Sequence, residues 1–503
     1  MGNSAQRVIK NTIWLYVRMA ASILVNIFTT RILLQALGAS DYGLYNVVGG
    51  AITMLGFLTA SMSTATQRFI SYTLGEGDVE KLKSIFNNTL CVHYGIAGLS
   101  AFILIAASFV WFNGVLNIPE GREIVAICVY GCLVFSTIFS ITIVPYDGVL
   151  NAHENMRFYS LIGIIDVFVK LAIAVVVYFA TLDQLLLYAV LIALEAWALR
   201  FATKHYCRRH YDECRQQQLR KYFNRQTIKQ LTSFAGWNMF NTATLMFSIY
   251  GISLIINYFF GVKLNAALGV AAQLSGVLMG LSGNMIKAIT PVLVKKEGEH
   301  QRGNMLRITF IGCKYSFMLF SFLCIPIIFY MSQVLELWLK DVPEWTSVFC
   351  ILMLVSTLVD QVTIFLYQSL QAQGDIKEYC VTKGIVNLLP IAASIIMFSL
   401  HQFPPYWVLV NLIIGKGILG GITNLYYCKR NISLSYWNFT TKVVSRCITV
   451  TLCSVIVGLL LRSVNMHWFF ELCLFVIFSI PVYWFFGMNH EERQLALNFI
   501  RKK

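Results

Sequence analysis

Long apolar runs recur from one end of the chain to the other, and short polar stretches separate them. A membrane helix needs about 20 mostly apolar residues. On that test the sequence predicts about 14 helices, near 11–37, 42–66, 86–112, 124–146, 158–180, 184–203, 232–260, 264–294, 305–333, 346–370, 379–400, 405–428, 438–461 and 467–487. No connection is long enough to fold by itself. The longest is a basic stretch from about Lys204 to Lys229, and the longest on the other face lie near Asn113–Glu123 and Glu336–Trp345. Gly38-Ala39-Ser40-Asp41, Thr181-Leu182-Asp183 and His401-Gln402-Phe403-Pro404 read as short odd-to-even connections.

Charge gives these segments a direction. Odd-to-even connections carry few basic residues. Even-to-odd ones carry Lys81 and Lys83, then Arg208, Arg209, Arg215, Arg220, Lys221 and Arg225, then Lys295, Lys296 and Arg302, then Lys429 and Arg430, and the tail adds Arg501, Lys502 and Lys503. Basic loops face the cytoplasm, so both termini are expected there. The expected location is a membrane crossed many times, with the basic loops on its cytoplasmic side.

A shift of 223 residues aligns Gly38 with Gly261 and runs without gaps to Glu76 and Glu299, with Val47/Val270, Leu55/Leu278, Leu58/Leu281, Met62/Met285, Ala65/Ala288 and Gly75/Gly298 coinciding. Duplicated halves are common in transporters. The expected organisation is an N-terminal six-helix bundle (1–205), a basic linker (206–231), a C-terminal six-helix bundle (232–430), and two further helices with a basic tail (431–503). The fold class is all-α and integral to the membrane, with two pseudo-symmetric halves.

Composition changes the picture only in part. The 503 residues are 57% hydrophobic and 13% charged, with a formal net charge of +15. The positive charge sits in short loops between apolar segments, which favours anionic headgroups over nucleic acid. No aromatic–basic motif for bases is present, and no nucleic-acid partner is expected. The 13 cysteines fall mostly within apolar segments and form no close metal-ligand pairs, so no metal site is expected. Pro145, Pro326, Pro390 and Pro481 fall where helices would kink. Gly49-Gly50 and Gly420-Gly421 permit close packing, and Trp111, Trp338 and Trp437 suit the interface.

Ionisable residues inside the apolar segments carry the candidate chemistry. Each costs at least about 2.5–3.5 kcal/mol at a helix centre unless a partner or water compensates it. They are Arg18 and Arg31 in the first segment, Asp166 and Lys170 in the fifth, Glu195 in the sixth, Lys287 in the eighth, Lys314 in the ninth, Asp360 in the tenth, Lys383 in the eleventh and Lys416 in the twelfth. The set is mainly cationic, and a cavity lined this way attracts an anion. Lysine suits phosphate as a point charge and arginine as a planar fork. Asp166 and Lys170, spaced i,i+4, either neutralise each other or serve that cavity. Arg31 and Lys383 either snorkel to an interface or line the cavity. Arg18, Lys287, Lys314 and Lys416 have no acidic neighbour on their own helices. Asp166, Glu195 and Asp360 are counter-charges or carriers of a coupling proton.

Enzymatic motifs are missing. Gly415-Lys416-Gly417 lacks the earlier glycine and the following Ser/Thr of a phosphate loop. No HExxH or GxSxG is present, and no acidic motif sits at a membrane face. The chain is expected not to be an enzyme and to need no cofactor beyond a coupling proton or sodium ion.

The opening 90 residues carry a resemblance. Asn11-Thr12-Ile13-Trp14-Leu15-Tyr16-Val17-Arg18 leads into Arg31-Ile32-Leu33-Leu34-Gln35-Ala36-Leu37-Gly38, then Asp41-Tyr42-Gly43-Leu44-Tyr45-Asn46, then Gln67-Arg68-Phe69-Ile70. Pro145-Tyr146 and Asn151-Ala152-His153-Glu154 follow the same pattern. The sequence resembles bacterial polysaccharide exporters of the O-antigen flippase type, in the superfamily that also holds peptidoglycan-lipid flippases and multidrug/toxin extruders. The resemblance implies two six-helix bundles in a V around a central cavity. It implies that an undecaprenyl-pyrophosphate-linked oligosaccharide moves from the cytoplasmic to the outer leaflet, driven by an ion gradient or the membrane potential. Arg18 and Lys287 match, by helix and depth, cations used by related flippases. Expected partners are the lipid-linked oligosaccharide, membrane lipids, a polysaccharide polymerase and glycosyltransferases, with a monomer as the functional unit. The competing readings are a cation-coupled multidrug extruder on the same fold, a membrane polysaccharide polymerase or ligase, and a scaffold without transport.

Overall fold

The computed structural model describes residues 2–53, 56–110, 112, 121–215, 218–339, 342–400, 403–464, 466–490 and 492–494. Those residues are almost wholly helical. The helices are α1 (Gly2–Thr53), α2 (Gly56–Glu76), α3 (Val79–Val110), α4 (Glu123–Ala152), α5 (Met156–Phe179) and α6 (Gln184–His210). Two single turns, α7 (Asp212–Arg215) and α8 (Leu219–Tyr222), form the linker. There follow α9 (Arg225–Phe260), α10 (Val262–Gly298), α11 (Arg302–Phe329), α12 (Met331–Leu339), α13 (Thr346–Gln361), α14 (Ile364–Gln373) and α15 (Lys377–Leu400). Last come α16 (Trp407–Ile432), α17 (Tyr436–Arg462) and α18 (Trp468–Gly487).

Twelve helices among the described residues are long and apolar enough to cross a membrane, and α13 with α14 makes a thirteenth as a pair bent by 42°. The expected segment at 346–370 is thus broken at Val362-Thr363. The remaining expected segment, 42–66, lies in the helical stretch after Gly38. It runs across residues outside those described and so falls outside that test, while α2 by itself, with Ser61, Ser63, Thr64, Thr66, Gln67 and Arg68, is too polar to pass. The connection expected at Gly38-Ala39-Ser40-Asp41 is present and is reduced to one residue. The chain stays helical on both sides, and only Gly38 leaves the helix, at φ 70°, ψ 170°. The loop near Asn113–Glu123, Trp111, and the tail lysines Lys502 and Lys503 with Arg501 lie wholly or mostly outside the described residues.

The duplication read from the sequence reappears as backbone geometry. Gly261 has φ 85°, ψ 177°, nearly the angles of Gly38, its equivalent 223 residues earlier. Positive φ with extended ψ is open essentially to glycine alone, so both halves turn from first to second helix on the same one-residue hinge. Gly77 and His300, again 223 apart, both take positive φ after the second helix. Gly121 and Trp345 do so before the fourth, and Glu154 and Gly374 after it.

The chain divides into two compact units, Arg7–Met239 and Phe240–Lys503, the second including the first six residues. In the first unit one apolar cluster lies at the end where α5 finishes, around Leu33, Leu37, Leu104, Val129 and Ala174. A second lies at the linker end, around Ile70, Phe86, Tyr146, Leu150 and Cys207. The linker packs within this unit: the Gln218 amide donates to Asn87 Oδ1 and the Asn224 amide to Asn88 Oδ1, each at 2.9 Å. Caps set the helix starts, with Asn155 accepting from the Phe158 amide and Asp183 from Leu186.

The second unit has its main core around Ile256, Leu268, Phe320, Phe349, Leu354 and Leu409. The two C-terminal helices attach to α11, where the Tyr483 hydroxyl donates to Ser321 Oγ at 2.8 Å.

Candidate functional site

Each unit gathers intramembrane charges into its own cluster. The Arg18 side chain of α1 fills the space that a Cβ on Gly163 of α5 would occupy. Its guanidinium lies 4.6 Å from the centre of the Tyr159 ring, a cation–π contact. One helical turn on from Gly163 is Asp166, within electrostatic reach of Arg18. Lys170 Nζ donates to both Asp166 oxygens, at 2.8 and 2.9 Å. The i,i+4 pairing read from the sequence is therefore made.

Asp166 also meets Glu195 of α6 carboxyl to carboxyl. Two carboxyls in hydrogen-bond contact can hold one proton between them, because two like charges at that distance repel. Glu195 is buried, and its Oε1 has no hydrogen-bond partner. Arg200, a turn and a half along α6, closes the cluster and acts electrostatically on Asp147, Glu195 and Asp166. By formal charge, three cations (Arg18, Lys170, Arg200) face three acids (Asp147, Asp166, Glu195). Arg31 lies exposed on α1, away from this group.

The second unit is arranged differently. Asp360 is the last-but-one residue of α13, just before the 42° bend. Lys416 Nζ stands 3.6 Å from Asp360 Oδ2. Lys416 lies on a π-helical stretch of α16, Ile413–Leu419. Such a bulge shifts the side-chain register relative to the helix on either side, and it turns Lys416 toward α13. Lys383 of α15 is buried, within electrostatic reach of both Asp360 and Lys416. Its ammonium occupies the space over Gly420 that a Cβ would fill. Two lysines thus share one carboxylate. Gly415-Lys416-Gly417, dismissed as a phosphate loop, instead provides the two close helix contacts that seat the lysine, against Pro390 and against Val359.

Lys314 is separate. It is buried on α11, and its ammonium donates to Glu492 Oε1 at 2.7 Å, so it fastens the C-terminal segment to the bundle. Lys287 is half-buried on α10.

The end of the first unit opposite the linker carries a group with no counterpart among the sequence candidates. Arg122, just before α4, bonds the carboxylates of both Asp41 and Asp183. Burial would raise the Asp183 carboxyl, but the Leu186 amide and the Arg122 guanidinium outweigh it and hold the group below its ordinary value. Burial likewise opposes the Arg122 charge, and the two aspartates more than offset it. Arg200, Asp147, Glu492 and Arg122 left no periodic signal in the sequence, because their partners come from other helices.

All thirteen cysteines are free. No group of three or more histidine, cysteine or acidic residues suited to a metal occurs among the described residues.

No protein-family model matches the chain, and no curated protein matches it in sequence. Solved structures do match. An outward-facing multidrug resistance MATE family transporter of the MOP superfamily superimposes with a TM-score of 0.72 at 14% identity, over 86% of this chain and 96% of that one. A MATE protein in its bent conformation gives 0.75 at the same identity and coverage. A MOP superfamily transporter from Pyrococcus furiosus Vc1, reported with a binding pocket of reverse polarity that suggests a different function, gives 0.71 at 14% over the same shares. The chain has the MATE fold.

Proposed function

We propose that the protein is a flippase that moves an undecaprenyl-pyrophosphate-linked oligosaccharide from the cytoplasmic to the outer leaflet by ion- or potential-driven alternating access. The observation that carries this reading is the unbalanced cluster of Lys383, Lys416 and Asp360. Isolated cations at membrane depth are costly. A site that keeps two lysines for one carboxylate gains when an anion arrives. The pyrophosphate is such an anion, and its two phosphates match a pair of point charges better than one bidentate fork. Lys287, in the same unit, is a further cation assigned to the headgroup, and Arg18 is the anion-binding candidate of the first unit. The pairing of Asp166 with Glu195 supports proton coupling, since a shared proton can be released when Lys170 or Arg200 shifts.

The MATE fold alone leaves a cation-coupled drug extruder as the second reading, and the carboxyl pair in the first unit favours it. A drug extruder for cations is expected to hold excess acid, whereas the second unit holds excess base. The Pyrococcus furiosus transporter, reported with a pocket of reversed polarity, is a fold relative in which pocket charge departs from the rest. We assign the protein to the inner membrane, with both termini cytoplasmic and no catalytic step.

The test is a reconstituted flipping assay with lipid-linked oligosaccharide under imposed pH, sodium and voltage gradients. Lys416→Met is expected to stay folded, because Asp360 keeps Lys383, and to lose flipping by at least about tenfold, one lost charge-assisted contact of roughly 1.4 kcal/mol or more. Wild-type rates in Lys416→Met and Lys383→Met would assign the lysines to structure. Export of organic cations in place of the lipid would establish the extruder.

A further inference from the structure

A second lipid-facing feature lies in the first unit, away from the charged cluster. Asn87 and Asn88 of α3 hold the linker across that helix, with Asn88 Nδ2 also donating to the Tyr222 carbonyl at 2.7 Å. Beyond this crossing α3 continues past Cys91, Gly95 and Leu99, a stripe about 12 Å long at 1.5 Å per residue. Between that stripe and the start of α9 is an open groove of about 410 Å³, lined also by Phe223, Ile228 and Thr232. Its walls are almost entirely apolar. Leu99 is 59% exposed and Phe223 59% exposed, which in a membrane means contact with acyl chains.

The rim has the opposite character. On α9, Arg225, Ile228, Lys229 and Thr232 follow the i, i+3, i+4, i+7 spacing of one helix face. Arg225 and Lys229 therefore stand on the face whose other members line the groove. Both are exposed, and neither makes a salt bridge with a described residue. Arg220 and Lys221 precede Phe223 at the same end. An apolar slot long enough for roughly the first ten carbons of an acyl chain, opening beside two uncompensated cations at the linker level, has the layout of a lipid: chain in the slot, phosphate on the rim. On the positive-inside orientation this rim meets the leaflet richest in anionic headgroups.

We propose that the groove binds one anionic glycerophospholipid of the linker-side leaflet, its chain between α3 and α9 and its phosphate on Arg225 and Lys229. The bound lipid braces the linker against α3. This assignment is independent of the transported substrate.

The test uses the full-length protein in detergent, titrated with phosphatidylglycerol or phosphatidylcholine of matched chains and read by native mass spectrometry. One phosphatidylglycerol per chain is expected to be retained at a concentration about tenfold lower than phosphatidylcholine, roughly 1.4 kcal/mol of headgroup preference. A Cβ at Gly95 meets nothing within 4 Å, so Gly95→Phe fits without disturbing the fold and fills the slot; retention of both lipids is expected to fall. Arg225→Gln with Lys229→Gln leaves the slot and is expected to abolish the preference for phosphatidylglycerol while chain binding persists. Equal retention of the two lipids by the wild type overturns the proposal. So does undiminished retention by Gly95→Phe, a dimer of the chain in place of a lipid adduct, or preferential retention of a polyprenyl pyrophosphate over phosphatidylglycerol.

Discussion

The two halves share a hinge, a sequence register and a fold, yet they handle buried charge in opposite ways. In the first, Arg18, Lys170 and Arg200 meet Asp147, Asp166 and Glu195, and two of the acids touch. In the second, Lys383 and Lys416 share Asp360 alone. Duplication fixes the backbone, because Gly38 and Gly261 must both take an angle closed to other residues. It leaves the helix centres free to diverge. On the proposed reading that divergence is a division of labour: the balanced half exchanges a proton, and the unbalanced half holds an anion.

The sharpest way to break this comparison is to remove the acids. Asp360→Asn strands both lysines; the Asp360–Lys416 pair is part-buried, so the loss is expected at the lower end of the about 3–5 kcal/mol for breaking a buried ion pair. Asp166→Asn leaves Lys170 with Glu195 close by, so its cost is expected to be about 1 kcal/mol. Thermal unfolding in detergent measures both. Adding Lys416→Met to Asp360→Asn removes one stranded charge and is expected to recover part of the loss. Equal destabilisation by Asp360→Asn and Asp166→Asn would erase the distinction between the halves.

Much of this was readable in the chain and some was not. The apolar periodicity set the helices, and a shift of 223 residues found the hinge glycines before any angle was known. The i,i+4 pair Asp166–Lys170 was visible because both ends lie on one helix. Lys416 with Asp360 and Lys314 with Glu492 join different helices, the latter across 178 residues, and no local pattern encodes such a meeting. Lys416 further depends on a π-helical stretch that moves its register. The 42–66 segment came from the same apolar test, and the charge alternation of the neighbouring loops agrees with it.

A smaller effect separates coupling from binding. Glu195→Gln keeps size and hydrogen bonding but fixes the proton. The variant is expected to fold and to bind the lipid-linked substrate as the wild type does. Its flipping rate should lose its dependence on an imposed pH gradient, by about tenfold at the gradient that drives the wild type best. Unaltered pH dependence would move coupling out of the first unit. Gly163→Ala acts on the same cluster more gently. The new methyl displaces only the far end of a flexible arginine, so stability should hold while the Arg18 guanidinium leaves its place over Tyr159. Flipping is expected to fall about threefold to tenfold, and an unchanged rate would take Arg18 out of the headgroup's path.

The smallest expected effect lies at the end of the first unit opposite the linker. Asp183 binds Arg122 and caps α6, and its carboxyl is held below the ordinary value near 3.9. A depressed acid contributes stability that is fully present above its unfolded-state pKa and lost as pH falls through its folded-state pKa. The Asp183 contribution is therefore complete at neutral pH and fades only below about pH 4. Arg122 stays charged throughout, so acid removes the anion and not the cation. Unfolding temperature measured from pH 7 to pH 3 should fall less steeply in Asp183→Asn than in the wild type, since the variant has already lost the ionised partner. If instead the Asp183→Asn curve runs parallel to the wild type, the Arg122 clamp contributes nothing to acid sensitivity, and the difference between the halves is confined to their buried clusters.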